Sequence, residues 1–156
     1  MGTEIERKFL VCGDQWREHS TASLYCQGYL RKDKACAVRV RLAGEKGFLT
    51  VKGASKGATR PEFEYEIPPE DARFMLDNLA EKPLIRKKRH IVRENGFLWE
   101  IDEFLGENEG LVLAEIELRS EDQPFAAPDW LGPEVTNDPR YYNSMLVSRP
   151  FSSWKK

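Results

Sequence analysis

Glu4-Ile5-Glu6-Arg7-Lys8-Phe9-Leu10-Val11 is the stretch of sequence that decides the fold of this chain. Successive side chains of a β-strand point to opposite faces, so the stretch places Glu4, Glu6 and Lys8 on one face and apolar residues on the other. A single strand of this kind is best explained by a charged face in water and an apolar face on a core. Its meaning therefore depends on whether other strands repeat the pattern.

The same alternation recurs along most of the chain. Seven further segments are predicted as strands: 25–31, 38–42, 48–52, 62–67, 87–92, 97–102 and 113–118. The turn Gly44-Glu45-Lys46-Gly47 joins two of them into a hairpin, and Glu94-Asn95-Gly96 joins two more, since Asn-Gly favours the positive φ angles of a tight hairpin turn. The sequence thus predicts about eight strands, and their short connections indicate mostly antiparallel pairing.

Helices are predicted at three places. A short helix capped by Asp14 runs to Ser20, a clearer one spans residues 69–81, and a third spans residues 139–147. Residues 120–134 contain three prolines and are predicted as a loop region. The 156 residues suit one domain over 1–156, with no internal boundary.

Composition excludes several classes of protein. Hydrophobic residues make up 40% and charged residues 32%, with a formal net charge of -2, so a basic nucleic-acid-binding surface is not expected. Cys12, Cys26 and Cys36 have neither disulfide-framework nor zinc-site spacing and are predicted to be free thiols. No apolar run reaches the ~18 residues of a membrane span, and no signal peptide is evident. A cytoplasmic protein without a membrane partner is expected.

The placement of the charges is more informative than their sum. Like-charged acids two residues apart occur on four strands: Glu4 and Glu6; Glu62, Glu64 and Glu66; Glu100 and Asp102; Glu115 and Glu117. Like-charged bases do so on two: Arg39 and Arg41; Lys87 and Arg89. Such pairs lie ~7 Å apart on one face and repel each other. Clustered acids hold hard divalent cations and clustered bases hold phosphate oxygens, so a ligand with a metal and several phosphates would suit both.

Other motifs of phosphate or metal chemistry are absent from the sequence. The glycine-rich segment 53–57 does not continue as a P-loop, and His19 and His90 form no HExxH motif. A surface or strand-edge role is predicted for both histidines. Trp99, Trp130 and Trp154 are interpreted as core or cover residues.

With its charged strands in this order, the chain resembles the CYTH superfamily, the triphosphate tunnel metalloenzymes. The ExExK motif Glu4-Ile5-Glu6-Arg7-Lys8 resembles their opening strand. The other motifs of the resemblance follow in order: Gln27-Gly28-Tyr29-Leu30, Val38-Arg39-Val40-Arg41, Thr50-Val51-Lys52-Gly53, Glu62-Phe63-Glu64, Lys87-Lys88-Arg89, Trp99-Glu100-Ile101-Asp102 and Ala114-Glu115-Ile116-Glu117-Leu118. The segments 132–136 and Tyr142-Asn143 also look like the compact bacterial members.

The resemblance implies a mainly β fold with flanking α-helices: an eight-stranded antiparallel β-barrel that forms a tunnel, with helices packed outside. Carried over by motif, the metal-site acids would be Glu4, Glu6, Glu115 and Glu117, with Glu100 and Asp102 in support. The phosphate-binding bases would be Lys8, Arg39, Arg41, Lys52, Lys87 and Arg89, with Tyr29 near a mouth of the tunnel. Catalysis is expected from Lys8, Lys52, Arg41 and Glu6. Glu62 and Glu64 would line the wall, either near the metal or orienting the bases.

The activity implied is metal-dependent hydrolysis of inorganic triphosphate, or a close triphosphate, with Mg²⁺ or Mn²⁺ as cofactor. An adenylyl cyclase, or a thiamine or nucleoside triphosphatase of the same superfamily, is an alternative. A polyphosphate- or nucleotide-binding module without catalysis is an alternative from another class. The partner expected is a small-molecule triphosphate, and a homodimer through an external face is also envisaged.

Overall fold

Antiparallel strands dominate the computed structural model, which describes residues 2–154. The strands are β1 (Gly2–Val11), β2 (Ser20–Lys32), β3 (Cys36–Ala43), β4 (Lys46–Gly53), β5 (Thr59–Ile67), β6 (Ile85–Glu94), β7 (Phe97–Phe104), β8 (Val112–Glu117) and β9 (Leu131–Glu134). The α-helices are α1 (Pro69–Asn78) and α2 (Asn143–Ser148). Short 3-10 helices occupy Gln15–His19, Gly106–Asn108, Pro139–Tyr141 and Phe151–Ser153.

Eight of these strands close into a barrel. Their order is β5-β4-β3-β2-β6-β7-β8-β1, and β1 pairs in turn with β5. All of these pairings are antiparallel. The pairing of β1 with β5 closes the ring of eight strands, and it confirms the predicted barrel.

The ninth strand was not predicted, because residues 120–134 were interpreted as a loop. Residues 2–5 of β1 pair with β5, whose first residue, Thr59, lies opposite Ile5, and the same edge of β1 pairs further along with β9. Phe9 lies opposite Glu134 and Val11 opposite Leu131. The loop interpretation is therefore wrong for residues 131–134. β9 pairs with backbone groups of β1 that β5 leaves unpaired. Those groups require hydrogen-bond partners from a distant part of the chain, and local sequence does not show this requirement.

The register turns the charged faces inward. Lys8 on β1 lies opposite Glu115 on β8, and Glu115 lies opposite Glu100 on β7. On the far wall, Thr50 lies between Arg39 and Glu64 on its neighbouring strands. Since cross-strand partners share a face, the charged sets of neighbouring strands line one interior.

The apolar outer faces of the barrel are covered from outside. Helix α1 packs Ala72 and Leu76 on Val40 of β3. On the other side, Trp99 packs edge-on against Trp130 of the segment before β9, and Trp16 of the first 3-10 helix belongs to the same buried cluster. These contacts are the flanking helical cover that the sequence predicted.

One end of the barrel interior is filled with apolar side chains. Phe104 lies opposite Lys87 and therefore points inward. It packs with Leu113 and with Leu146 and Val147 of α2, all of them buried. Helix α2 therefore covers one end of the interior.

The structure differs from each of the three helix predictions. Helix α1 ends at Asn78, before the predicted Glu81. The segment after Asp14 is a 3-10 helix, and the Asp14 side chain accepts a hydrogen bond from Arg17 Nε and makes no cap. The predicted helix over 139–147 divides at Tyr142, whose extended backbone (φ -70°, ψ 134°) separates a 3-10 helix from α2.

The environment of His90 also differs from the prediction. His90 is 7% exposed and packs edge-on against Trp16, with ring centroids 4.8 Å apart. Its two ring nitrogens lie within hydrogen-bonding distance of Ser20 Oγ and Glu103 Oε1, both at 3.2 Å. The predicted surface or strand-edge role is therefore wrong for this residue, because β6 lies between β2 and β7 and the first 3-10 helix covers its outer face.

The predictions for the tryptophans and cysteines are confirmed. Trp99 and Trp130 are buried, and Trp154 covers Tyr141 with ring centroids 5.2 Å apart. The three cysteines are free thiols. Over residues 2–154, none of the helices has the length and apolar character needed to cross a membrane.

Candidate active site

The barrel encloses a charged cavity of about 240 Å³. Nearly all the side chains singled out from the sequence line it: Glu4, Glu6, Lys8, Tyr29, Arg39, Arg41, Lys52, Glu62, Glu64, Lys87, Arg89, Glu100, Glu115 and Glu117. Asp102 alone of the predicted set is not among the lining residues in the described part of the chain. Acids from β1, β7 and β8 lie on one side, and most of the bases come from β3, β4 and β6.

Three carboxylates converge at the acidic side. Glu6, Glu100 and Glu115 each place a carboxylate oxygen within 4.8 Å of the other two. Burial and the neighbouring Glu115 raise the pKa of Glu6 well above its usual value. Burial opposes ionisation of Glu115 as well, but Lys8, a hydrogen bond with Glu6 and Arg89 lower its pKa to about 2. Crowded oxygens of this kind fit a hard divalent cation, which would relieve their repulsion.

The other two predicted metal-site acids lie beside this cluster. Glu4 is 8% exposed, and burial, opposed by Lys52 and supported by Glu62, raises its pKa to about 7. Its Oε1 lies 3.4 Å from Lys52 Nζ. Glu117 lines the cavity but is exposed. Among the described residues, neither belongs to the group of acids whose oxygens meet within 4.8 Å.

The basic side is held in place by Glu62 and Glu64. Glu64 Oε2 lies 3.4 Å from Arg39 Nη2 and 3.3 Å from Arg41 Nη2, and it accepts a 2.7 Å hydrogen bond from the Thr50 hydroxyl. Glu62 Oε2 lies 3.0 Å from Lys52 Nζ. Of the two roles left open by the sequence, these contacts favour orientation of the bases.

Asp102 has a different environment from the one predicted. Arg89 donates to both of its oxygens, at 2.8 and 2.9 Å, and Lys87 Nζ lies 2.8 Å from Oδ2. Asp102 is 1% exposed, and these two cations outweigh burial and lower its pKa. Asp102 lies two residues after Glu100 on β7 and directly opposite Arg89 on β6, so bases bind both of its oxygens. It therefore holds the bases and does not join the acid cluster.

Lys87 is itself almost fully buried. Burial, only partly offset by Asp102, lowers its pKa to about 8. Its Nζ donates a 2.9 Å hydrogen bond to Asn143 Oδ1, which also accepts from Gln27 Nε2 at 3.2 Å. Asn143 begins α2, so the helix that covers one end of the barrel is tied to a cavity base.

Sequence reasoning assigned no role to several residues that line the cavity. They are Ala37, Arg60, Thr136, Tyr142, Asn143, Ser144 and residues of the β4–β5 loop, namely Ser55, Gly57 and Ala58. Arg60 Nη2 donates to Gly53 O at 3.0 Å, while its buried Nε has no hydrogen-bond partner in the structure. The signal for Arg60 was its place two residues before Glu62, on the face that carries Glu62 and Glu64. For Tyr142 and Asn143, the family resemblance was the sequence signal.

The protein-family model of the CYTH domain matches residues 2–145 of this chain. The chain belongs to the CYTH family. The resemblance found in the strand motifs is thereby confirmed.

Curated members of the family resemble this CYTH domain over all or most of its length. An inorganic triphosphatase of Acetivibrio thermocellus is 54% identical over 156 residues, which is 100% of both chains. An inorganic triphosphatase of Nitrosomonas europaea is 38% identical over 149 residues, covering 93% of this chain and 97% of the relative.

Solved structures agree with this relationship. A crystal structure of an inorganic triphosphatase superposes with a TM-score of 0.66 at 37% identity, over 94% of this chain and 95% of that one. A putative adenylate cyclase from Bacillus halodurans superposes with a TM-score of 0.60 at 17% identity, over 78% of this chain and 84% of that one. The second likeness concerns the fold alone.

Proposed function

We propose that this CYTH domain is a metal-dependent triphosphatase that hydrolyses inorganic triphosphate to diphosphate and phosphate. The observation that carries the proposal is the meeting of a three-carboxylate cluster and a wall of bases in one cavity of about 240 Å³. The two curated relatives, both inorganic triphosphatases, support the same reaction. A cavity of this size with mostly charged walls suits a short chain of phosphates better than an apolar ligand.

The metal would be held on the acidic side. Glu6, Glu100 and Glu115 would hold Mg²⁺ or Mn²⁺ through oxygen ligands, with Glu4 and Glu117 beside them. When bound, the cation supplies a Lewis acid that neutralises charge on phosphate oxygens. We do not include Asp102 in this set, because Lys87 and Arg89 already bind both of its oxygens.

The bases would grip the phosphates. Phosphoryl transfer requires mainly positioning and charge neutralisation, which Lys8, Arg39, Arg41, Lys52, Lys87 and Arg89 would provide. Glu64 holds Arg39 and Arg41, and Asp102 holds Lys87 and Arg89, so these four cations are oriented before a substrate arrives. Lys8, Lys52, Arg41 and Glu6 remain our candidates for catalysis. Tyr29 lies opposite Arg39, and its side chain would form the wall of the cavity beside that arginine.

Phosphate release tests the proposal directly. The purified chain is incubated with tripolyphosphate, ATP, GTP or thiamine triphosphate, each with Mg²⁺, with Mn²⁺ and with EDTA. We expect the fastest metal-dependent release from tripolyphosphate. A cyclic product from ATP would favour a cyclase, and binding without release from any substrate would favour a binding module.

Several expectations from the sequence stay predictions. They are a single domain over 1–156, a cytoplasmic location, the lack of nucleic-acid and membrane partners, and a homodimer through an external face. Sedimentation of the purified chain at several concentrations would test the dimer.

A further inference from the structure

Tyr25 stands between two of the phosphate-binding arginines. It lies on β2, between β3 and β6, and its backbone partners are Ala43 and Lys87. The centre of its ring is 5.0 Å from Cζ of Arg41 on β3 and 4.8 Å from Cζ of Arg89 on β6. Both distances are within the range of a cation–π contact. Among described residues, Tyr25 is not one of those that line the cavity, so its ring acts through the arginines.

The two arginines need such a contact because they repel each other. Arg41 is largely buried, and burial together with the charges of Arg39 and Arg89 opposes its protonation and lowers its pKa. A neutral ring between two guanidinium groups attracts both of them and separates their charges. A carboxylate in that place would also attract them, but it would bind the N–H groups that a phosphate needs.

Carboxylates bind some of the nitrogens of each arginine, and the ring contacts the guanidinium group without using an N–H donor. Glu64 binds Arg41 through one nitrogen, and the Arg41 Nε has no hydrogen-bond partner in the described part of the chain. Asp102 binds Arg89 through two nitrogens, and the third, Nη1, lies 3.3 Å from Glu100 Oε2. Contact between a guanidinium group and an aromatic ring leaves the remaining in-plane N–H donors free for phosphate oxygens. Phe48 also approaches Arg41, at 5.6 Å, but among the aromatic rings of residues 2–154 only that of Tyr25 is in contact with both arginines.

We propose that Tyr25 is a positioning residue that holds the guanidinium groups of Arg41 and Arg89 apart and aims their free N–H donors at the triphosphate. This inference rests on the proposed function, since it takes both arginines to bind phosphate. The aromatic ring carries the effect, and the hydroxyl group is dispensable.

Kinetics of three variants test the role of the ring. Tyr25→Leu removes the aromatic face, Tyr25→Phe keeps it, and Tyr65→Leu is the matched control, because Tyr65 is 61% exposed on the outside of β5. For Tyr25→Leu we expect kcat/KM for tripolyphosphate to fall about tenfold, which corresponds to ~1.4 kcal/mol. Tyr25→Phe and Tyr65→Leu should stay within about twofold of the parent chain.

A second measurement separates positioning from simple loss of structure. The Mg²⁺ concentration for half-maximal rate should change less than kcat/KM in Tyr25→Leu, because the ring acts on the acid cluster of β1, β7 and β8 indirectly, through Arg89, whose Nη1 lies 3.3 Å from Glu100 Oε2. Circular dichroism checks the fold. If Tyr25→Leu does not fold, pentafluorophenylalanine at position 25 keeps the ring shape but removes the negative face that attracts a cation.

The outcomes distinguish this inference from the proposed function. Equal kcat/KM in Tyr25→Leu and the parent chain would overturn the inference, as would an equal loss in Tyr25→Phe. If the parent chain releases no phosphate, the proposed function fails. Calorimetry with tripolyphosphate in EDTA then still tests Tyr25, with an expected Kd about tenfold weaker in Tyr25→Leu; unchanged affinity there would overturn the inference.

Discussion

Carboxylates at the acidic side of the cavity differ in protonation although they are neighbours. Burial and Glu115 raise the pKa of Glu6, whereas Lys8 and Glu6 help to lower that of Glu115 to about 2. Glu115 is thus the charged member of the pair without a metal. It also lies 3.8 Å from Lys8 Nζ and 3.7 Å from Arg89 Nη2. At the residue scale, Glu115 connects the acidic side of the cavity to the bases.

Replacement of Glu115 should cost more activity than replacement of Glu117. Glu115→Gln supplies a neutral and weaker ligand within the cluster, so we expect metal-dependent turnover to fall on the order of 100-fold. Glu117 is exposed and outside the cluster, so Glu117→Gln should fall less. Rates measured against Mg²⁺ concentration decide this, and equal losses in the two variants would contradict it.

Arg41 should depend on its shape as well as its charge. Arg41→Lys keeps the charge but loses the fork that can bind two oxygens, so we expect it to bind tripolyphosphate weakly and turn over roughly tenfold more slowly. Arg41→Ala should lose on the order of 10²–10³-fold in kcat/KM. Arg73→Ala, on the exposed side of α1, is the control and should match the parent chain. Parental kinetics in Arg41→Ala would remove Arg41 from the site.

At the element scale, α1 and the segment that follows it pack closely on β2 at Gly28, where the strand has no side chain. A Cβ atom on Gly28 of β2 would lie 2.8 Å from the Ala80 Cβ and 2.7 Å from a methyl group of Leu84. Gly28 therefore lets the segment after α1 approach the strand backbone. The strand must stay in register here, because its next residue, Tyr29, lies opposite Arg39.

Gly28→Ala should destabilise the fold through this contact. We expect a loss of about 1–3 kcal/mol in the free energy of unfolding, since the added methyl group forces α1 and the segment after it away from β2. The double variant Gly28→Ala/Ala80→Gly removes the opposing methyl group and should recover part of the loss. Urea unfolding measures both, and a single variant as stable as the parent chain would contradict the close fit.

At the scale of the whole molecule, crowded acids link stability to pH. The folded chain keeps a proton on Glu6, and on Glu4 up to a pKa of about 7, whereas the unfolded chain releases these protons near 4.5. Because the folded state then binds more protons than the unfolded state, stability falls as pH rises through this interval. The contributions of Glu115 and Asp102 have the opposite sign, but their lowered pKa values confine them to lower pH.

Without metal, the free energy of unfolding should therefore decrease between about pH 5 and about pH 7. Urea titrations in EDTA measure the slope, which Glu4→Gln and Glu6→Gln should each reduce. Added Mg²⁺ should flatten it, because a bound cation favours the ionised carboxylates. Stability that rises with pH across this interval in EDTA would contradict the raised pKa values of these two acids.

The sequence alone determined the strands and the set of charged residues. Alternation with a period of two is a local property, and it located eight strands and the face that each presents. Like charges at that spacing indicated a ligand of metal and phosphate, and the order of the motifs, through a family resemblance, implied the closed barrel. Tyr25 shows the limit of such reasoning, since nothing local relates it to Arg41 and Arg89.

Only the tertiary structure decided how the charged residues share their partners. Asp102 and Glu100 have the same sequence pattern, yet the register places Asp102 between Arg89 and Lys87, and Glu100 in the acid cluster. The strand β9 likewise exists because β5 leaves part of one edge of β1 unpaired. These outcomes depend on contacts between residues far apart in the chain. The energies of such contacts are set by distance and burial, which local patterns in the sequence do not show.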